Sequence, residues 1–146
     1  MEHQKSDNLH MLEAVVQNTE MGKNTLAQIL PMTGDARLKA ELIRQRSGYQ
    51  ELNQEAHAGI DACGGRAQGQ SAFAKMNTRM GISLKTLTDK STRNLATMLA
   101  EGSGQGVMDC KRAETDYPQA SPGARKLMQQ LCAFQEQAEQ TWRGFL

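Results

Sequence analysis

The sequence predicts an all-α fold: an antiparallel four-helix bundle made of two helical hairpins, with an extra helix in the crossover between them. Three observations predict it. Aromatic residues make up only 4% of the chain, and Met, Leu and Ala carry the apolar content. That mix favours helices, because strands draw on β-branched and aromatic residues. Apolar residues recur in steps of three and four along separate stretches, the spacing of one helix face. Pro31, the pair Gly64-Gly65 and Pro118 fall between those stretches, where helices are expected to stop.

The elements follow in order. A first helix is expected over 8–30, capped by Ser6 or Asp7 and ended by Pro31. Asp35 then caps a second helix over 36–60. The segment 61-DACGGRAQGQ-70 reads as a loop, and a basic amphipathic helix follows over 71–87, with Phe73, Met76, Met80, Leu84 and Leu87 on one face. Thr88, Asp89 and Ser91 offer caps for a third core helix reaching about residue 117. Ser121-Pro122 is a cap with proline at the first helical position, opening a fourth helix to about residue 145. At 146 residues the chain is one domain, 1–146: a hairpin at 8–60, a crossover at 61–88 and a hairpin at 89–145.

The stretch 100-AEGSGQGVMDC-110 tests this reading, since Gly102, Gly104 and Gly106 crowd into a predicted helix. Leu95, Leu99, Gly102, Gly106, Cys110, Ala113 and Tyr117 keep steps of 4, 3, 4, 4, 3 and 4 across it. A linker has no reason to hold that phase. Each glycine costs a helix about 0.8–1 kcal/mol against alanine. The cost points to close approach of a neighbouring backbone, or to room for a bulky side chain or a ligand. Gly104 lies off the seam and has no such explanation. Similar seams run through Met11, Val15, Asn18, Gly22, Leu26 and Ile29, through Leu38, Leu42, Gln45, Tyr49 and Leu52, and through Leu127, Leu131, Phe134, Ala138 and Thr141. Two related hairpins joined by a long crossover is the wiring of ferritin-like bundles.

The strings 18-NTEMG-22, 83-SLKTLTDKSTRNLATMLAEGS-103 and 106-GVMD-109, with the closing Phe-Leu, resemble a family of small bacterial ferritin-like proteins of uncharacterised activity. Its members carry a DKST stretch, then a glycine-bearing helix and a Phe-Leu end. The resemblance covers most of the chain. It implies a four-helix core and a bacterial cytosolic or spore-associated setting, and it implies no activity. The chain departs from the family's paired Met-Gly in its second half, with Gln105-Gly106 where the first half has Met21-Gly22.

Composition narrows the partners. A net charge of +1 nominates neither nucleic acid nor a membrane surface. The opening MEHQKSDNLHML lacks the apolar run of a signal peptide. No segment approaches ~18 uninterrupted apolar residues. Three cysteines without paired spacing fit reduced thiols in the cytoplasm.

Motif by motif, catalytic chemistry finds little support. A ferritin-like di-iron site needs Glu-x-x-His pairs, yet none of His3, His10 and His57 follows a Glu by three residues. No metal ligands, catalytic residues or cofactor are therefore expected. GSGQG lacks the Lys-Ser/Thr pair of a phosphate loop and the preceding strand of a dinucleotide site. Cys110 and Cys132 read as small core residues, whereas Cys63 sits in a glycine-rich loop open to reagents. Met76 and Met80 read as adaptable packing rather than soft-metal ligands. Lys75, Arg79, Lys85, Lys90 and Arg93 form a basic face without interleaved aromatics, which single-strand binders would need.

What stands out is a polar layer at mid-bundle. Asn18, Gln45 and Tyr49 occupy seam positions beside Gly22, Gly102 and Gly106. These six are the candidate ligand-binding residues. Either they form a closed hydrogen-bonded network, with the glycines admitting Tyr49 or Phe134, or they line a small internal pocket. The expected function is a non-enzymatic structural or interaction protein that self-associates or holds another protein. The alternative is a bundle that binds a small ligand or metal through this layer.

Overall fold

The computed structural model describes residues 2–65, 84 and 86–146. These form four long helices: α1, Glu2–Ile29; α2, Ala36–Ala62; α3, Thr92–Asp116; and α4, Pro122–Arg143. A 3-10 turn at Leu30–Met32 follows α1. Among the described residues there is no strand. The basic helix expected over 71–87 lies outside the described residues, apart from Leu84, Thr86 and Leu87. Leu84 is buried and Leu87 packs against the core.

Most helix ends obey their local chemistry. The Asp35 carboxylate accepts the Arg37 and Leu38 amides at 2.9 and 3.1 Å, which starts α2. Ser91 accepts from Asn94 to start α3, and Ser121 accepts from Ala124 to start α4, with Pro122 in the first turn. Gly64 takes a left-handed φ of 71° just after α2, a conformation that glycine adopts without steric penalty. The start of α1 differs from expectation. Ser6 and Asp7 lie inside it, because α1 begins at Glu2. Tertiary contacts claim its polar side chains instead. The Asp7 carboxylate accepts the Gln119 amide at 2.8 Å, and Asn8 Oδ1 accepts the Ser121 amide at 2.6 Å. They anchor the α3–α4 turn to α1.

α1 packs chiefly on α2 and α3 chiefly on α4, and the two pairs close on each other. In the first pair Leu12 faces Gly59, Thr19 accepts a hydrogen bond from Asn53, and Gly22 faces Tyr49. Residue numbers rise in α1 as they fall in α2. In the second pair Cys110 meets Gln135 and Gly104 faces Glu139. At one end of the molecule Thr92 donates to Asp35 at 3.1 Å, and the Arg37 guanidinium lies over the Phe145 ring.

One hydrophobic core runs through all four helices and includes Met11, Val15, Leu38, Leu42, Leu95, Leu131 and Trp142. Burying each large apolar side chain contributes about 1.5–3 kcal/mol. The expected seams are largely these core lines, with two corrections. On α4 the buried positions are Gln135 and Trp142, while Phe134 and Thr141 stand only half-buried beside them. On α3 Ser103 is buried where Gly102 was expected, and Gly102 is exposed. Steps of three and four fix the helix period but leave open which of two adjacent residues points more directly inward.

Candidate functional site

Halfway along the bundle each helix contributes to one polar layer. Asn18 of α1 and Gln135 of α4 pair their amides: Gln135 Nε2 donates to Asn18 Oδ1 at 2.6 Å, and Asn18 Nδ2 donates back to Gln135 Oε1 at 3.3 Å. Gln135 Nε2 also donates to the hydroxyl of Tyr49 on α2 at 3.1 Å. From α3, the Cys110 thiol donates to Gln135 Oε1 at 3.4 Å and the Gly106 carbonyl accepts from Asn18 Nδ2 at 3.2 Å. Buried amides need such partners, because leaving one unpaired costs about 1–3 kcal/mol.

Glycines make the layer possible. A Cβ on Gly22 would stand 2.5 Å from the Tyr49 ring, and one on Gly106 would collide with the Gln135 amide. Gly48 likewise accommodates Phe134, whose ring meets that of Tyr49 edge-on with centroids 4.9 Å apart. The expected close approach is therefore one of side chains onto helix backbone, at Gly22 and Gly106. Gly102 differs: a Cβ there would have nothing within 4 Å.

The open space at Gly102 belongs to a cavity of about 130 Å³. Its walls are Met21, Gly22 and Leu26 of α1, Leu99 and Ser103 of α3, and Trp142 of α4, with the Asn18–Tyr49–Gln135 layer along one side. The exposed Gly102 and Gln105 place its opening between α1 and α3. At that rim Gln105 donates to Asp109 at 3.1 Å. Two hydroxyls stand on the cavity wall, and one of them has unused capacity among the described residues. The Tyr49 hydroxyl accepts from Gln135, but its own hydrogen has no acceptor. The Ser103 side chain, only 5% exposed, lies on the same wall.

Electrostatics keep the layer neutral. Burial pushes the Tyr49 phenol up to about 12, with the Gln135 hydrogen bond opposing it. Burial also pushes the Cys110 thiol up to about 12, helped by the neighbouring Cys132. Cys132, raised to about 11 by burial and by its bond to Glu136, completes a set of protonated groups. Thiols in this state are poor nucleophiles and poor metal ligands. Cys63, by contrast, is exposed. Among the described residues no three His, Cys, Asp or Glu side chains gather as a metal-binding group.

Five of the six candidate residues thus meet at one place: Asn18, Gly22, Tyr49, Gly102 and Gly106 all line the cavity. Gln45 does not. It is buried one turn away, donates to Glu41 at 2.9 Å, and leaves its own carbonyl oxygen without a partner. Helical phase put it on the same face as Tyr49, but its height along α2 sets it outside the cavity lining. Sequence reasoning missed Gln135, the centre of the layer, along with Ser103 and Trp142. The available signal was the run Leu131, Gln135, Ala138, Trp142, which keeps helical steps of 4, 3 and 4. The bulkier Phe134 drew the seam one position aside. Compared with protein-family models, curated proteins and solved structures, the chain shows no significant match to any of them.

Proposed function

We propose that the protein is a non-catalytic helical bundle that holds a small molecule in its mid-bundle cavity. The observation that carries this reading is the cavity itself, a mostly apolar space bordered by a polar layer, with the Tyr49 hydroxyl free to donate into it. Compact binding sites have this make-up: mostly apolar walls with a few placed polar groups. The titratable members of the layer support binding rather than turnover. Tyr49 and Cys110, both at about 12, exchange no proton near pH 7. A purely structural or interaction role would need a surface to act through. The large apolar side chains exposed among the described residues, Ile43, Met108 and Leu146, are spread over α2, α3 and the C-terminal end.

The finer architecture we propose is antiparallel, ferritin-like wiring, with residues 63–91 as the long crossover. Contacts supporting it include Thr92 with Asp35, which brings the starts of α2 and α3 together, and His10 against Tyr117, which sets the start of α1 against the end of α3. Binding between helices of such a bundle is a common placement for ligand sites.

Trp142 is the only tryptophan and lines the cavity, so its fluorescence reports occupancy. Titration with benzene, methylenecyclohexane and cyclohexanone is expected to give a saturable change in emission and a higher Tm. Ser103→Leu, which fills the space, abolishes that response while leaving the helical circular dichroism intact. Absence of a saturable response to every one of these probes refutes the reading.

A further inference from the structure

The walls of the cavity restrict what it accepts. Among the described residues the only charged one on them is Asp109, at the rim and already bonded to Gln105. An anion would meet no compensating cation there among the described residues, and burying an unpaired charge is strongly unfavourable. Size is restricted too. An apolar cavity of about 150 Å³ takes benzene, and this one is about 130 Å³. The deep polar group with a hydrogen to give is the Tyr49 phenol, which Gln135 fixes by donating to its oxygen at 3.1 Å. From α3, Ser103 adds a second hydroxyl to the lining. A hydroxyl with a hydrogen to give, set in mostly apolar walls, favours an occupant that accepts from it.

Building on the reading of the cavity as a ligand site, we propose that its ligand is a compact neutral molecule about the size of benzene carrying one oxygen acceptor, with the Tyr49 hydroxyl donating to that oxygen. A cyclic ketone is the simplest member of this class. Tyr49 is then a binding residue, oriented by Gln135. Ser103 completes the contact from α3.

The test compares cyclohexanone with methylenecyclohexane, which share a carbon skeleton and differ by oxygen for methylene. Both are titrated into the full chain and followed by Trp142 fluorescence. Tyr49→Phe keeps the ring and removes the donor. It is expected to lower the ratio of ketone to olefin affinity by about fivefold, the worth of one neutral hydrogen bond. Ser103→Ala lowers the same ratio to a lesser degree. A second measurement needs no variant: the infrared carbonyl stretch of bound cyclohexanone shifts to lower frequency in the wild-type chain. An unchanged affinity ratio in Tyr49→Phe, or an unshifted stretch, overturns the ketone-type ligand even where methylenecyclohexane binds and the cavity reading survives. If neither probe binds, the ketone-type ligand falls, and if benzene fails to bind as well, both proposals fall together.

Discussion

The side-chain amides of Asn18 and Gln135 bond each other in both directions, across 117 positions of sequence, at 2.6 and 3.3 Å. This pair ties the first helix to the last and fixes the orientation of both amides. Gln135 then has a second amide hydrogen for Tyr49 and a carbonyl oxygen shared with Cys110. Removing either amide strands the other in a buried place. Asn18→Ala and Gln135→Ala are each expected to destabilise the fold by about 1–3 kcal/mol. The double variant should cost less than the sum, because its second substitution removes a group already unpaired. Urea unfolding of the four chains measures this. Strict additivity would mean that the two amides act independently.

Glycines at helical positions give a second set of outcomes, of opposite sign. All gain helix propensity on becoming alanine, about 0.8–1 kcal/mol. At Gly102 nothing lies within 4 Å of the new Cβ, so Gly102→Ala should be stabilising by up to that amount. Gly104→Ala should follow it, since the nearest atom is Glu139 Oε1 at 3.4 Å, the end of a flexible carboxylate. Gly22→Ala should destabilise by about 1–3 kcal/mol, because its Cβ would press on the enclosed Tyr49 ring. Thermal melts of the three variants rank them. Gly22→Ala matching Gly102→Ala would show that the ring yields freely.

These glycines also mark how far the sequence could be read. Helix periods, the caps at Asp35, Ser91 and Ser121, and the helical state of AEGSGQGVMDC follow from local chemistry, and local chemistry is what a sequence displays. Gly22 and Gly106 were legible as places of close approach because a helix tolerates such residues only for a reason. What approaches them was not legible. The choice between Phe134 and Gln135 depends on the rotation of α4 by less than one residue, and tertiary packing sets that angle. The same rotation on α3 exchanges Gly102 for Ser103. Ser6 and Asp7 misled for a related reason: as good capping residues they predicted a helix start, yet both lie inside α1, and the α3–α4 turn uses the Asp7 carboxylate. Gln45 shares the face of Tyr49, but periodicity carries no information on height relative to other helices.

Alkaline stability should reveal the buried phenol and thiol. Tyr49 is raised from 10.0 to about 12 and Cys110 from 9.0 to about 12, both chiefly by burial. Each folded-state value exceeds the unfolded one, so the native state holds its proton more tightly. The resulting stability is fully present below the unfolded values and is lost as pH rises through 9–12. Two units at Tyr49 correspond to about 2–3 kcal/mol. Tyr49→Phe should therefore lose that much less stability than wild type between pH 10 and pH 12. Cys110→Ala should flatten the decline from about pH 9. Urea midpoints across this range provide the comparison, and parallel curves for all three chains would contradict the assignment.

Glu13 makes the converse case, on the acid side. It sits on the buried face of α1 at 6% exposure, and no basic side chain among the described residues forms an ion pair with it. Burial raises its carboxyl above the ordinary value, with the charge of His10 opposing that effect. The protonated form is thus the one that the fold prefers. Its favourable contribution is complete below the unfolded carboxylate value and disappears as pH rises through the folded one. At pH 7 the ionised group is a burden. Glu13→Gln keeps the shape and removes the charge, so it should raise Tm at pH 7. That gain should shrink as pH falls toward 4, where wild-type Glu13 is neutral as well. A Tm difference that stays constant from pH 4 to pH 7 would locate the effect in packing, and the burial of a charge would no longer explain it.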